Sequence, residues 1–376
     1  MEGEVIMKRK ILIVINSSWN VFNFRLGLLL ALQEEGNEII VVAPRDAYTE
    51  KLEEIGFEYH DVAINAKGMN PIEDTKLTYS LYKLYKRIKP DVILHYTIKP
   101  NIYGSIAADI LKIPTINNIA GLGTLFIEQN IVTTLAKLLY KYSQTRTAHI
   151  FFQNNDDLEL FVNENLVDAQ KCDVLPGSGI DVTTFCPIEN TKDGMVRFLL
   201  IARMLWAKGV GEYIEAAKII KAKYDNIEFQ LLGCLAVANR SAITHEQMQV
   251  WVDSHLVNYL GTTSNVKKYI CKADCVVLPS YYREGTPRTL LESASMAKPL
   301  ITTHNVGCKD VVDHGINGYL CQPKNVDDLV EQLEKFIHLS DTEREEMGIK
   351  GREKMINEFD EKIVITKYSN MIKEVC

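Results

Sequence analysis

The chain has no stretch of the ~18 consecutive apolar residues that a helix needs to span a bilayer, so a membrane-spanning segment is not expected. Cysteine is present without organisation: the eight thiols are scattered, and the closest pair, Cys271 and Cys275, has neither C-x-x-C spacing nor neighbouring histidines. Neither a zinc site nor a disulfide framework is expected, and a reducing cytoplasm fits best. An excess of charge of one sign is missing too. The net charge is −7, with 42 basic and 49 acidic side chains in all. Residues 1–180 hold 18 of the bases and 22 of the acids, which argues against a nucleic-acid partner. The opening M-E-G-E-V-I-M-K-R-K is too acidic and too short for a signal peptide, and residues 1–6 are expected to be an extension or an expression remnant.

What is there has a regular order. At 376 residues the chain exceeds the size at which one core usually stops growing, so two domains with a cleft between them are expected. Short β-branched runs (K-I-L-I-V-I-N, E-I-I-V-V-A-P, P-D-V-I-L-H-Y, I-P-T-I-N-N, H-I-F-F-Q-N) alternate with helical patterns, the mark of βα units on a parallel sheet. The pattern lapses in D-V-T-T-F-C-P-I-E-N-T-K-D-G. It resumes with V-R-F-L-L-I-A-R, I-E-F-Q-L-L-G, A-D-C-V-V-L-P and K-P-L-I-T-T. The expected architecture is α/β, with a Rossmann-like domain over 1–180, a linker over 181–195 and a second Rossmann-like domain over 196–358. A helix over 359–376 is expected to cross back and pack on the first domain.

In open α/β sheets, ligands gather at the carboxyl ends of strands. The first strand of the second domain runs into Arg203-Met204-Leu205-Trp206-Ala207-Lys208 and then an amphipathic helix, placing two cations beside helix amides, a good setting for a diphosphate. The strand ending at Pro279 runs into S-Y-Y-R-E-G-T-P. Thr286 as N-cap and Pro287 as the first helical residue would start a helix there. Gly285 permits close backbone approach, and amides near Thr286 suit an anionic or hydroxyl-rich ligand. Glu284 precedes that helix, and Glu292 stands about 7 to 8 Å along it. The two carboxylates would clasp a sugar and a nucleoside whose diphosphate lies on Arg203 and Lys208. The pair Asp156-Asp157 fits a helix start better than a metal motif.

The E-x7-E from Glu284 to Glu292, with R-M-L-W-A-K-G, G-I-D-V-T-T-F and N-G-Y-L, resembles the retaining GT-B glycosyltransferases of family 4. The resemblance implies a nucleotide-sugar-binding second domain and an acceptor-binding first domain. Arg203, Lys208 and Glu284 would carry the chemistry, the donor being held by them with Gly285, Thr286, Glu292 and Gly233. It also implies retention of anomeric configuration and no metal. Two places depart from the family pattern: N-S-S-W-N-V-F-N-F-R-L, 16–26, replaces a glycine-rich loop, and H-Y-T-I-K-P-N-I-Y-G sets His95 earlier than the usual loop histidine.

The combination of N-F-R-L, Y-T-I-K-P-N-I-Y-G and N-I-A-G-L-G resembles a bacterial subgroup that extends polyprenyl-diphosphate-linked glycans, including N-acetylgalactosaminyltransferases acting on diphosphoundecaprenyl-bacillosamine. That implies a UDP-sugar donor, N-acetylgalactosamine as first choice, and an acceptor site drawing on Arg25, His95, Lys99 and Gly121. His95 reads equally well as a strand-end histidine with satisfied hydrogen bonds. The segment Lys76–Lys89 has five cations, no acid and an apolar stripe. It reads either as a peripheral contact with the inner membrane surface or as a solvated helix packed on its own core. The alternatives to transfer are a UDP-sugar epimerase of the same fold and a catalytically silent nucleotide-sugar-binding protein.

Overall fold

The computed structural model describes residues 8–65, 70–122, 131–189, 193–235, 237, 239 and 241–376, without the side chains of 131 and 132. The expected extension (1–6), Gly123, and residues 190–192 of the expected linker lie outside the described residues. The chain divides into two compact units: Met1–Gly179 with Glu361–Cys376, and Ile180–Asp360.

The first unit is built on seven strands: β1 (Lys10–Val14), β2 (Glu38–Ala43), β3 (Glu58–Asp61), β4 (Val92–Tyr96), β5 (Thr115–Ile119), β6 (His149–Phe152) and β7 (Cys172–Val174). They lie in the order β3-β2-β1-β4-β5-β6-β7, every pairing parallel. The near-continuous apolar runs of β1 and β2 follow from burial of both sheet faces. Ile11, Ile13, Ile39 and Val41 enter one core, and Leu12, Val14, Ile40 and Val42 the other. The Pro71–Ile88 helix starts at an Asn70 cap that accepts from the Ile72 amide and turns Leu77, Leu81, Leu84 and Tyr85 into the second of these cores. Its apolar stripe is therefore a core contact.

The helix Glu361–Val375 closes the first unit from the other end of the chain. Val364, Tyr368 and Ile372, four residues apart, enter the core with Tyr96 and Phe151. The Tyr368 hydroxyl accepts from Asn118 Nδ2 at 3.1 Å.

The second unit has six strands: β8 (Val196–Ile201), β9 (Ile227–Leu232), β10 (Asn258–Tyr259), β11 (Cys275–Leu278), β12 (Leu300–Thr303) and β13 (Gly318–Cys321). Their order is β10-β9-β8-β11-β12-β13, again all parallel. Phe198 and Leu200 face one core, Leu199 and Ile201 the other. Ile180, just before the expected linker, and Phe185 within it pack on a core of this unit. Ile180 is fully buried, its amide donates to the Phe359 carbonyl at 2.8 Å, and the Phe185 carbonyl accepts from Ser295 Oγ at 2.6 Å.

Replacing Tyr368 by alanine removes a buried aromatic ring that joins sequence-distant parts of the first unit. Its unfolding free energy in urea is expected to fall by about 3 to 5 kcal/mol; a loss under 1 kcal/mol would mean that the C-terminal helix adds little to this core.

Candidate functional site

Each sheet reverses its strand order once, between β1 and β4 in the first unit and between β8 and β11 in the second. Helices leaving adjacent strands at such a reversal diverge to opposite faces, so the carboxyl ends between them stay open to a ligand.

In the second unit, β8 is followed by Arg203, which is exposed, and by the single tight turn Trp206–Lys208 ahead of the Val210–Lys221 helix. Across the reversal, the Tyr281 and Tyr282 amides both donate to the Ala207 carbonyl at 3.0 Å, tying the loop after β11 to the loop after β8. This tie brings Lys208 Nζ onto the Glu284 carboxylate, with only 12% and 11% of the two side chains exposed. Ser280 Oγ donates to Glu284 Oε1 at 3.0 Å, and the Lys208 ammonium stands 5.2 Å from the Tyr282 ring centre. Burial, reinforced by the negative charge of Glu284, pushes the nearby Cys308 thiol up to about 12.

The helix carrying Glu292 begins one residue later than expected. Pro287 itself is the cap: its ψ of 114° keeps it extended, and its carbonyl accepts from Leu290 and Leu291 at 3.0 and 3.3 Å, so Arg288 is the first helical residue. Glu292 pairs with Arg288 one turn earlier at 3.2 Å, and 12% of its side chain is exposed. Burial raises its pKa above the usual carboxylate range, with Arg288 opposing.

Gly285 packs against Gly307, whose φ is +76° and where a Cβ would lie 1.8 Å from the Gly285 carbonyl oxygen. Gly233 follows β9 with φ +147°, and a Cβ there would lie 1.8 Å from the Ala202 carbonyl oxygen. Its amide donates to Gly261 O at 2.8 Å and its carbonyl accepts from Tyr259 at 2.8 Å. Gly233 thus lets the ends of β8 and β9 approach, and its amide is committed within the protein rather than offered to a donor.

In the first unit the four expected acceptor residues separate. His95 is fully buried. Its Nδ1 donates to Asn117 Oδ1 at 3.0 Å, which leaves Nε2 to accept from the Tyr85 hydroxyl at 3.0 Å. Asn117 Nδ2 in turn reaches Gln144 Oε1 at 2.7 Å and Ser105 Oγ at 2.8 Å. The histidine is a core group and presents no ring nitrogen to a ligand. Lys99 is ion-paired: Asp74 Oδ1 lies 2.6 Å from its ammonium, and the Tyr103 hydroxyl donates to Asp74 Oδ2 at 2.8 Å. Gly121, with φ +93°, sits two residues past β5.

Arg25 stands apart. It joins the helices Ser18–Phe24 and Leu26–Glu34, is 5% exposed, and lies 4.5 Å over the Tyr96 ring. Its Nε and Nη1 have no hydrogen-bond partner among the described residues, and neither do Asn20 Oδ1, Thr97 Oγ1 and Asn101 Oδ1. All four residues follow β1 or β4, the two strands at the reversal. Buried polar atoms are rarely left unpaired, because each costs about 1–3 kcal/mol, which makes these four residues candidates for contact with a ligand. Sequence reasoning found Arg25 but missed Asn20, Thr97, Asn101, Ser280 and Arg288. Only Arg288 left a local signal, its i,i+4 spacing to Glu292.

Residues 10–154 match the family described as Glycosyl transferase 4-like, and residues 183–354 match Glycosyl transferases group 1. With two parallel sheets of this topology, the chain belongs to the GT-B glycosyltransferases. It is 29% identical, over 95% of its length and 96% of the relative's, to the N,N'-diacetylbacillosaminyl-diphospho-undecaprenol alpha-1,3-N-acetylgalactosaminyltransferase of Campylobacter jejuni. It is 26% identical, over 82% of its length and 81% of the relative's, to the UDP-Gal:alpha-D-GlcNAc-diphosphoundecaprenol alpha-1,3-galactosyltransferase of Escherichia coli. Among solved structures, a glycosyltransferase from Rickettsia africae matches 98% of the chain, and 99% of its own, at a TM-score of 0.80 and 18% identity. Anabaena HepE, solved with UDP and glucose, matches 97% of the chain, and 99% of its own, at 0.77 and 16%.

Two measurements check this geometry. Removing one partner of a buried ion pair costs about 3–5 kcal/mol, whereas replacing both by apolar groups is often neutral. Glu284→Leu is therefore expected to lower the urea midpoint, and adding Lys208→Met to restore most of it; a single variant as stable as the parent would show the pair to be solvated. Burial lowers the His95 pKa from 6.5 to about 4. As pH falls, the unfolded chain takes up the proton first, so stability is lost from about pH 6.5 down to about pH 4, by roughly 3 kcal/mol. Burial also lowers the His149 pKa, so the measure is the difference in pH slope between the parent and His95→Gln, and equal slopes would refute the assignment.

Proposed function

We propose that the chain is a retaining transferase that moves an N-acetylhexosamine, N-acetylgalactosamine first, from a UDP-sugar to a saccharide on polyprenyl diphosphate. It would serve bacterial surface-glycan or N-glycan assembly, peripherally at the inner face of the cytoplasmic membrane. The observation that carries the reading is the Lys208–Glu284 pair set across the β8/β11 reversal. The relatives from Campylobacter jejuni and Escherichia coli, which act on diphospho-undecaprenol-linked sugars, support the choice of acceptor.

In this reading Arg203 and Lys208 take up the charge that builds on the β-phosphate as its bond to the anomeric carbon breaks. Glu284 accepts from hydroxyls of the donor sugar, with Gly285 and Thr286 beside it, and Glu292 accepts from the ribose diol. The acceptor oxygen bonds to the anomeric carbon on the face that UDP leaves, and its proton passes to the departing phosphate oxygen. No side-chain nucleophile and no metal is invoked. On the acceptor side, Arg25 with Asn20, Thr97 and Asn101 receives the diphosphate, since these groups are buried without partners.

The test is UDP release from a panel of UDP-sugars, with and without an undecaprenyl-diphosphate-linked sugar, in the presence of EDTA. Acceptor-dependent release is expected. Arg203→Ala is expected to lower kcat about 10²- to 10³-fold, and Arg25→Ala to raise the KM for acceptor alone about 10- to 100-fold. A new UDP-sugar formed without acceptor would replace transfer by epimerisation, and donor binding without release under any acceptor would leave a binding protein.

A further inference from the structure

A groove of about 630 Å³ lies between the Pro71–Ile88 helix and the helices Ser105–Leu111 and Ile131–Gln144. Its volume is that of a small-molecule site. Tyr79, Tyr82, Ile106, Ile110, Leu135 and Leu139 wall it, and its edge on the first helix runs from Pro71 to Tyr82, about 16 Å at the helical rise. The apolar surface continues over its rim. Ile110 and Tyr79 are 61% and 57% exposed, and Leu135, Leu138 and Tyr142, at i, i+3 and i+7 of one helix, are 47%, 60% and 52% exposed. An apolar patch gathered from three helices around a concavity is more than the single exposed side chains any protein shows.

Two features say what fits. The carboxylate that lines the groove, Asp74, is already met by Lys99 at 2.6 Å and Tyr103 at 2.8 Å, so no unanswered charge opposes an apolar occupant. Cations stand on the wall itself: Lys83 lies 4.4 Å over the Tyr79 ring and Lys86 lies 5.8 Å over that of Tyr82. Their ammonium groups complement an anionic lipid surface. The groove is also continuous in sequence with the polar site after β4, because one run, 100–111, supplies Asn101 to that site and Tyr103, Ile106 and Ile110 to the groove.

We propose that this groove seats the isoprene units of the acceptor lipid nearest its diphosphate. The inference rests on the polyprenyl-diphosphate reading above. A methyl-branched, unsaturated chain suits walls of tyrosine rings and branched aliphatic side chains, and its burial supplies affinity without any contact to the sugar.

The test is calorimetric binding of geranylgeranyl diphosphate and of inorganic pyrophosphate to the full chain, below the lipid's micelle concentration and without UDP-sugar. The parent is expected to bind the prenylated ligand at least tenfold more tightly. Ile110→Glu and Leu135→Glu, both at exposed positions, are expected to erase that preference while leaving pyrophosphate and UDP affinity unchanged. Ile349→Glu, an exposed residue of the second unit, is expected to keep it. No chain preference in the parent, or a preference that survives both substitutions, overturns the proposal. So does loss of sedimentation with phosphatidylglycerol vesicles at unchanged geranylgeranyl diphosphate affinity, which would make the face a bilayer contact. Sugar transfer that fails while the chain preference holds counts against the transferase reading alone, and equal KM for short-chain and long-chain acceptors counts against the groove alone.

Discussion

A parallel sheet whose strand order reverses leaves one pair of neighbouring strand ends uncovered by helices, and this constraint places Lys208 and Glu284 in the second unit. β8 and β11 are that pair. The loop after β8 brings Lys208 and the loop after β11 brings Glu284, and two tyrosine amides on one carbonyl fix the distance between the loops. The chemistry proposed for these residues depends on a geometry that backbone hydrogen bonds set before any ligand arrives.

Among the buried cations of the two units, Arg25 is treated differently from Lys208, Arg288 and Lys99. In the second, Lys208 and Arg288 each stand on a carboxylate. In the proposed reaction a donor phosphate competes with Glu284 for Lys208. In the first unit the guanidinium of Arg25 has two nitrogens without partners among the described residues, and Tyr96 offers only the face of its ring. Lys99, seemingly equivalent as a cation, differs because Asp74 lies within 2.6 Å.

The interior of the fold was legible in the sequence, and its margins were not. The nine strands with recognisable apolar runs are the nine interior strands, and the four without such runs, β3, β7, β10 and β13, are the four sheet edges. An edge strand is short, has one neighbour and mixes polar with apolar residues, as in E-Y-H-D of β3. Lys208 and Glu284 were legible because each follows a strong strand at a helix start. The core placement of His95 was not, since its fate is decided by Asn117, 22 residues on, in the neighbouring strand. The pairing of Lys99 with Asp74, 25 residues earlier, is hidden for the same reason.

The order in which the chain is written differs from the order in which its units are completed. Ile180–Asp360 is continuous, while the first unit needs Glu361–Val375 to cover Tyr96 and Phe151. On the ribosome, where domains generally fold as units as the chain emerges, the second unit has all its residues before the first does. The earlier-made sheet must wait, with part of one face open, until the final helix is translated. A chain stopped at residue 360 therefore carries every residue proposed here for the donor site and an unfinished first core.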